Sequence, residues 1–446
     1  MSLDLTGKRV AVIGMARSGI GAARLVHRLG GRALVSDIKP FEALRSAIEE
    51  LQSEGVEVEA GGHHRVAAEP FDLVVLSPGV VLSASLHEIW RCKAVPVWSE
   101  LQLAAEVWDG QWIGVTGSNG KTTTVHLIAA MLKQAGRDAM TAGNIGQAWS
   151  DLLPANKDRV FVVEVSSFQL ERCHRLKPRV AVLLNLFENH LDRHGDMATY
   201  ADLKSRLLLH QDTDSVAILN GEDEWIRSFE SSLPARKIRF GTSDALDFWT
   251  TSLQLMCRCS AQDEVILKRE EFPLVGRHNE LNALAAAAAA RQFGADMPAI
   301  RQALRTAQPV EHRIEFVGEL SGVAFYNDSK STNMVATHTA LDSFRRDVIL
   351  LFGGRPKKES FAPLAERFGR PIKVLIAFGE ALEKIRMELP SRLPIEFVPN
   401  LTSAVSRARE LAHEGDTVLL SPGCTSFDEF RNFEERGKVF KSLVQQ

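Results

Sequence analysis

The segment that most narrows the fold runs from Trp112 to Gln134. A short apolar run, Trp112-Ile113-Gly114-Val115, meets the loop Thr116-Gly117-Ser118-Asn119-Gly120-Lys121-Thr122-Thr123, and a helix-forming stretch follows from Val125 to Gln134. Strand, glycine-bearing loop and helix in that order make a phosphate cradle. Gly117 and Gly120 let backbone N–H groups curl round an anion, and the helix N-terminus adds partial positive charge. Lys121 is spaced to reach the terminal phosphates, and Thr122 to offer its hydroxyl to Mg²⁺. Val115 stands where the strict GxxxxGK[ST] pattern has its first glycine, so the signature is GxxGKT after a strand. The chain is therefore expected to hold a nucleotide within an α/β layered fold.

The rest of the 446 residues alternates in the same way. Apolar runs at Lys8–Ile13, Ala33–Ser36, Leu73–Leu76, Phe161–Val163, Val180–Leu184, Val216–Leu219, Val348–Phe352, Val374–Phe378 and Thr417–Leu420 are separated by amphipathic stretches. Short, fully apolar strands between helices predict parallel sheets covered on both faces. A polar β-like stretch spans 238–273, and an alanine-rich helix covers Leu281–Arg291. Three domains are expected, over 1–99, 100–309 and 310–446, which suits a typical domain of ~150 residues. Lys plus Arg is 53 against 56 for Asp plus Glu, a net charge of −3. That balance argues against a chain built to grip nucleic acid or an anionic membrane. No apolar run approaches the ~20 residues of a membrane-spanning helix, and no basic-then-apolar leader opens the chain. Five cysteines, an odd number, fit a reducing compartment, so a cytoplasmic protein is expected.

Further loops leave predicted strands with polar or glycine residues. Gly14-Met15-Ala16-Arg17-Ser18-Gly19 resembles a dinucleotide fingerprint with its second glycine replaced, and reads equally as a tight turn in a Rossmann-like domain. Asp37, at the end of the next strand, suits a ribose or a uracil edge, and Ser77-Pro78-Gly79 adds a second backbone-lined turn. Glu164 ends a strand one step from the phosphate loop, where a hard oxygen donor can hold Mg²⁺. His190 follows Asn185–Asn189 out of the next strand, as a ligand or a structural hydrogen bonder. In the last third, Asn327-Asp328-Ser329-Lys330-Ser331-Thr332-Asn333 is a polar loop in which Asp328 and Lys330 suit a ribose and an anion. Gly353-Gly354-Arg355-Pro356-Lys357-Lys358 is an anion site or a solvated turn. Cys257 and Cys259 form a bare CxC with no second pair, so no metal site is expected there.

Taken in order, these motifs resemble the Mur ligase family. The resemblance rests on TGSNGKTT at 116–123, AGNIG at 142–146, EVSSFQLE at 164–171, HLD at 190–192 and HN…N at 278–282. It continues through HRIE at 312–315, NDSKSTN at 327–333 and SPGCTSFDEF…NFEERG at 421–437. EVSSFQLE and the C-terminal stretch are most like the member that adds D-glutamate during peptidoglycan precursor synthesis, and the DNPR of the diaminopimelate- or lysine-adding member is absent.

The resemblance implies an N-terminal Rossmann-like domain for a UDP-sugar, a central ATPase domain with a mainly parallel sheet, and a Rossmann-like C-terminal domain for the amino acid. It also implies amide synthesis from ATP through an acyl phosphate, with UDP-MurNAc-L-Ala and D-glutamate as substrates and the chain acting as a monomer. Carried over residue by residue, Gly117, Ser118, Asn119, Gly120, Lys121, Thr122 and Thr123 would bind ATP. Asn279, Asn282, Arg313 and Asp328 would join them. Thr122, Glu164, His190 and Lys204 would hold two Mg²⁺ ions, Lys204 matching the lysine that this family carbamylates. Gly14, Arg17, Ser18, Asp37, Ser77, Pro78 and Gly79 would take the UDP group, and Asn144 the muramoyl-peptide or phosphates. Lys330, Thr332, Lys357, Ser426 and Phe433 would seat D-glutamate. The alternatives are a sibling such as the alanine-adding enzyme or a folylpolyglutamate synthase, a nicotinamide-dependent oxidoreductase, and a nucleotide-binding switch. The broken dinucleotide fingerprint speaks against the oxidoreductase, and the complete set Glu164, His190 and Lys204 against the switch.

Overall fold

The computed structural model describes residues 3–259, 262–344 and 347–445, apart from the side chains of Asp192 and Cys259. By internal packing the chain divides into two compact units, Met1–Glu271 with Leu281–Arg305, and Phe272–Glu280 with Thr306–Gln446. The first unit contains two sheets and the second contains one.

The first sheet comprises β1 (Arg9–Ile13), β2 (Arg32–Asp37), β3 (Glu57–Ala60), β4 (Leu73–Leu76) and β5 (Val97–Ser99). They are parallel throughout, in the order 3-2-1-4-5. β1 and β4 are neighbours whose connections leave in opposite directions, the switch point at which open α/β sheets bind ligands. β3 carries only half-buried residues, which is why its sequence, Glu57-Val58-Glu59-Ala60, did not read as a strand.

The second sheet starts with β6 (Trp112–Thr116), β7 (Ala139–Gly143), β8 (Val160–Glu164), β9 (Val180–Leu183), β10 (Val216–Asn220) and β11 (Arg236–Gly241). β12 (Phe248–Thr250), β13 (Gln254–Cys259) and β14 (Gln262–Lys268) complete it. The order is 14-13-12-11-10-9-6-8-7, and only β12 to β14 run antiparallel. β6 therefore sits between β8 and β9, and the loops after these three strands emerge side by side. One apolar core runs through both sheets of this unit, joining Val12 and Val26 to Leu103, Trp149 and Phe161. Trp108 and Trp149 pack against Phe161, with ring centroids 4.9 and 5.8 Å away. Gly21 lets the helix Arg17–Arg28 approach the turn at Trp149–Leu152, since a Cβ there would lie 2.9 Å from Ser150 Oγ.

The third sheet is β15 (Glu315–Leu320), β16 (Val323–Asn327), β17 (Val348–Gly353), β18 (Ile372–Phe378), β19 (Ile395–Phe397) and β20 (Thr417–Gly423), in the order 15-16-20-17-18-19. Only the β15–β16 hairpin is antiparallel. Successive residues of β17 feed opposite cores: Val348, Leu350 and Phe352 pack on one face, Ile349 and Leu351 on the other. That is the period of two expected of a strand covered on both sides. The alanine-rich helix begins earlier than its apolar run suggests, spanning Arg277–Arg291. Among the described residues no helix is long and apolar enough to cross a membrane.

Candidate active site

In the first unit the loop after β6 closes as its glycines require. Gly117 has φ +151° and Gly120 φ +84°. A Cβ on Gly120 would fall 2.3 Å from Asn282 Oδ1, so the cradle and the Asn282 side chain are in contact. Gly120 caps the helix Lys121–Gln134, which presents its free N–H groups at the loop. The loop is braced by the segment after β9: Ser118 N donates to Asn185 O at 2.9 Å, and Asn119 N to Asn185 Oδ1 at 2.9 Å. Ser118 Oγ lies 3.2 Å from the Tyr200 hydroxyl.

Two lysines converge on one backbone oxygen. Lys121 Nζ donates to Gly117 O at 2.7 Å and Ser118 O at 3.0 Å, while Lys204 Nζ donates to the same Gly117 O at 2.9 Å. Lys204 is 1% exposed and lies over the Tyr200 ring. Burial, reinforced by the charge of Lys121, drives the Lys204 ammonium well below the usual lysine range, against the pull of Glu164. The charged form of Lys204 is thus disfavoured where it sits.

Glu164, at the end of β8, is buried and fully engaged. Its Oε2 accepts from Thr122 Oγ1 and its Oε1 from Asn144 Nδ2, both at 2.8 Å. Asn144 N also donates to Glu164 O at 2.9 Å. Thr123 is buried behind them. The Thr122–Glu164 pair supplies hard oxygen donors of the kind Mg²⁺ takes when phosphates and water complete its shell. Among the described residues no group of three or more His, Cys, Asp or Glu forms a self-sufficient metal cage. The donor set therefore fits a Mg²⁺ that shares its coordination with a nucleotide. Lys204 fits it only without its positive charge.

His190 stands at the start of the short helix Leu191–His194, in a left-handed conformation (φ +56°), with its ring 5.0 Å from that of Phe168. Asp192 and Cys259, which the sequence motifs include, have side chains outside the described residues.

At the carboxyl edge of the first sheet, Gly14 (φ +97°) and Ser77 meet. Ser77 Oγ donates to Gly14 O at 3.0 Å, and a Cβ on Gly14 would lie 2.9 Å from Ser77 Cβ. Gly19 is equally constrained, since a Cβ there would strike Gly14 O. Asp37 spends its oxygens on Met15 N (2.8 Å) and Lys39 N (2.9 Å), so it shapes the loop. Arg17 is exposed and Ser18 half-buried at the start of the first helix. A cavity of about 480 Å³ opens beside Ser77 and Gly79, with Phe168, Glu171 and Arg193 of the central sheet's loops on its other wall. Pro78 joins that turn, half-buried. His87 and Glu88 of the helix Ala84–Cys92 also line the cavity, and Cys92, exposed at the helix end, donates from Sγ to Glu88 Oε1 at 3.2 Å.

In the second unit Asp328 is 2% exposed. It accepts from Ile314 N (3.2 Å), Ser421 Oγ (2.8 Å) and Ser331 Oγ. Burial pushes its carboxyl up to about 6, opposed by those bonds and by Arg313. His312 (φ +64°) and Ile314 (φ +43°) bend the chain on either side of Arg313. Asn279 Nδ2 donates to Val275 O at 2.8 Å. Lys330 Nζ lies 5.9 Å from the centre of the Phe433 ring, and Ser426 is buried at the turn that follows β20. Thr332 is half-buried beside them in sequence, whereas Lys357 is exposed on the loop after β17. The sequence motifs assign no role to Tyr200, Asn185 or, most of all, Arg436, although Arg436 lies within NFEERG. The signal for Arg436 was present: it occupies a core position in the helical stripe Phe433, Arg436, Phe440, Val444.

Comparison with known proteins gives the family of the chain. The Mur ligase middle domain family matches residues 115–290, and the family described as Mur ligase, glutamate ligase domain matches 312–424. A UDP-N-acetylmuramoylalanine--D-glutamate ligase of Acidobacterium capsulatum is 39% identical over 99% of this chain and 97% of its own. The chain belongs to the Mur ligase family. A second relative of the same description, from Geobacillus kaustophilus, is 38% identical over 98% of both chains. Among solved Mur ligases, the MurF ligase of Thermotoga maritima in complex with ADP has a TM-score of 0.62 at 16% identity, covering 93% of this chain and 95% of that one. At that identity the likeness concerns the fold.

Proposed function

We propose that this Mur ligase joins D-glutamate to UDP-N-acetylmuramoyl-L-alanine at the expense of ATP, as a cytoplasmic monomer in peptidoglycan precursor synthesis. The observation that carries the reading is 39% identity to a D-glutamate ligase along 99% of the chain. The phosphate loop with its two lysines supports the ATP half of the reaction.

An alanyl carboxylate oxygen attacks the γ-phosphorus of ATP. The bond to the β–γ bridging oxygen breaks, ADP leaves, and an acyl phosphate remains. The amine of D-glutamate then attacks the acyl carbon. The tetrahedral intermediate expels phosphate and the nitrogen gives up a proton. The difficulty is that anions must meet, so preorganised cations and N–H groups supply most of the help. Lys121 takes the β- and γ-phosphates, releasing the carbonyls it now holds, and the N–H groups of Gly117 to Gly120 cradle them with Thr122 and Thr123. Asn279, Asn282, Arg313 and Asp328 hold the rest of the nucleotide. Thr122, Glu164, His190 and Lys204 are the residues to hold Mg²⁺, which when bound neutralises charge on the transferred phosphoryl group. Lys204 takes part as a carbamate: its neutral amine attacks CO₂, a C–N bond forms and the nitrogen loses a proton, turning a would-be cation into an oxygen donor. Gly14, Arg17, Ser18, Asp37 and Ser77 to Gly79 shape the UDP site, with Asn144 toward the muramoyl-peptide. Lys330, Thr332, Lys357, Ser426 and Phe433 seat D-glutamate.

The test is phosphate release from ATP and Mg²⁺ with UDP-MurNAc-L-Ala, adding D-glutamate, L-glutamate, L-alanine or diaminopimelate separately. Release with D-glutamate alone is expected. Release with another amino acid in its place overturns the acceptor assignment, and silence with all four overturns the reaction.

A further inference from the structure

We propose that Arg436 is the positioning residue of the acceptor site, one buried guanidinium that holds together the loops on which the amino-acid-binding side chains stand. The proposal rests on the reading of the function given above.

Arg436 lies in the first turn of the last helix, Phe433–Gln445, and is fully buried. Its Nε donates to Ser329 Oγ at 3.0 Å, and its Nη2 to Ser329 O at 2.9 Å and Cys424 O at 3.1 Å. Nη1 has no hydrogen-bond partner among the described residues, and no carboxylate there forms an ion pair with the group. A buried cation with no carboxylate in contact is costly to keep, so its place in the fold calls for a use.

Each segment it touches carries a residue assigned to the acceptor. Ser329 immediately precedes Lys330 and stands three residues before Thr332. Cys424 is two residues before Ser426. Phe433 begins the helix of Arg436, and its carbonyl accepts from Ser329 Oγ at 2.8 Å. The loop after β17 passes so close that a Cβ on Gly354 would lie 3.0 Å from Nη1, and Lys357 follows three residues later. The backbones of Arg355 and Thr425 exchange hydrogen bonds of 2.9 and 3.0 Å, locking that loop to the one after β20. Four segments thus converge on one planar fork, whose several N–H groups a lysine cannot reproduce. Burial lowers the guanidinium only to about 10, with Cys424, Asp428, Asp328 and Glu429 facing it, so the charge persists at neutral pH. A fixed positive charge with an unspent N–H, behind loops that seat a dicarboxylic amino acid, favours that class of acceptor.

The experiment measures KM for D-glutamate, ATP and UDP-MurNAc-L-Ala in the full-length wild type, Arg436→Met, Arg436→Lys and Ser329→Ala. In Arg436→Met the KM for D-glutamate should rise at least about tenfold, with that for ATP within about twofold. Arg436→Lys should recover part of this loss, and Ser329→Ala should raise the D-glutamate KM about threefold. If Arg436→Met shows no cooperative melt, the other two variants decide. A D-glutamate KM within twofold of wild type in the folded variants overturns the proposal, as does a parallel rise in all three KM values. Wild-type phosphate release that ignores D-glutamate overturns the functional reading and this inference with it.

Discussion

Lys204 in the first unit and Arg436 in the second are both buried, each bonds to backbone carbonyl and hydroxyl oxygens, and neither forms an ion pair with a carboxylate among the described residues. Their surroundings are alike, yet burial acts on the two groups to different effect. Burial and a neighbouring ammonium push Lys204 well below the usual lysine range, whereas the guanidinium at Arg436 is lowered only to about 10 and stays charged. The difference is intrinsic to the groups: an ammonium is a strongly hydrated point charge that yields its proton when dried out, and a guanidinium spreads its charge over a plane. One site therefore works against its ammonium, while the other keeps a lasting positive charge.

Exchanging the two chemistries breaks the comparison most sharply. Lys204→Arg places a cation that cannot be neutralised beside Lys121, and turnover should fall at least about a thousandfold. Lys204→Ala should be equally inactive, with partial return on adding short carboxylic acids. Initial rates of phosphate release check both, and full activity in either would break the contrast. Next in size is Asp328, one of the anions facing Arg436. Its folded-state value of about 6 exceeds the ordinary 3.8, so between these values the folded chain keeps a proton that the unfolded chain has released. Stability should therefore fall as pH rises from about 4 to 6, by about 3 kcal/mol in total. Urea unfolding at pH 4.5 and 7 should show this slope in the wild type and not in Asp328→Asn; identical slopes would refute it.

Smaller effects sharpen the first site alone. Gly120→Ala meets both a left-handed backbone and the Asn282 side chain, and should cost about 1–2 kcal/mol from strain alone while raising the KM for ATP. Gly136→Ala, with a similar φ of +75° and open space around it, isolates the strain without the nucleotide effect. Last, Tyr200→Phe removes the hydroxyl against Ser118, worth about 1 kcal/mol in a thermal melt, and should leave turnover within a few-fold.

The phosphate cradle was legible because its parts are contiguous: an apolar strand, two glycines and a helix start within 23 residues, 112–134. The same locality exposed Glu164 and Ser77, each placed by the strand it terminates. What escaped depends on residues meeting from afar. Arg436 bonds to Ser329 across a separation of 107 residues, and nothing in either local stretch announces the other. The β15–β16 hairpin escaped for a different reason. Its edge strand leaves Phe316 and Leu320 exposed, so Glu315–Leu320 shows no clean alternation to mark it.

Cys92, at the end of the helix that supplies His87 and Glu88 to the cavity wall, carries the only exposed thiol among the described cysteines. Cys173, Cys257 and Cys424 are buried, and burial pushes the Cys173 and Cys424 thiols up to about 12. A thiol-reactive fluorophore should accordingly attach first at Cys92, one helical turn from Glu88. On the proposed placement of the UDP group at Ser77 to Gly79, its emission should register each arrival and departure of a sugar nucleotide beside this cavity, with no chemistry taking place.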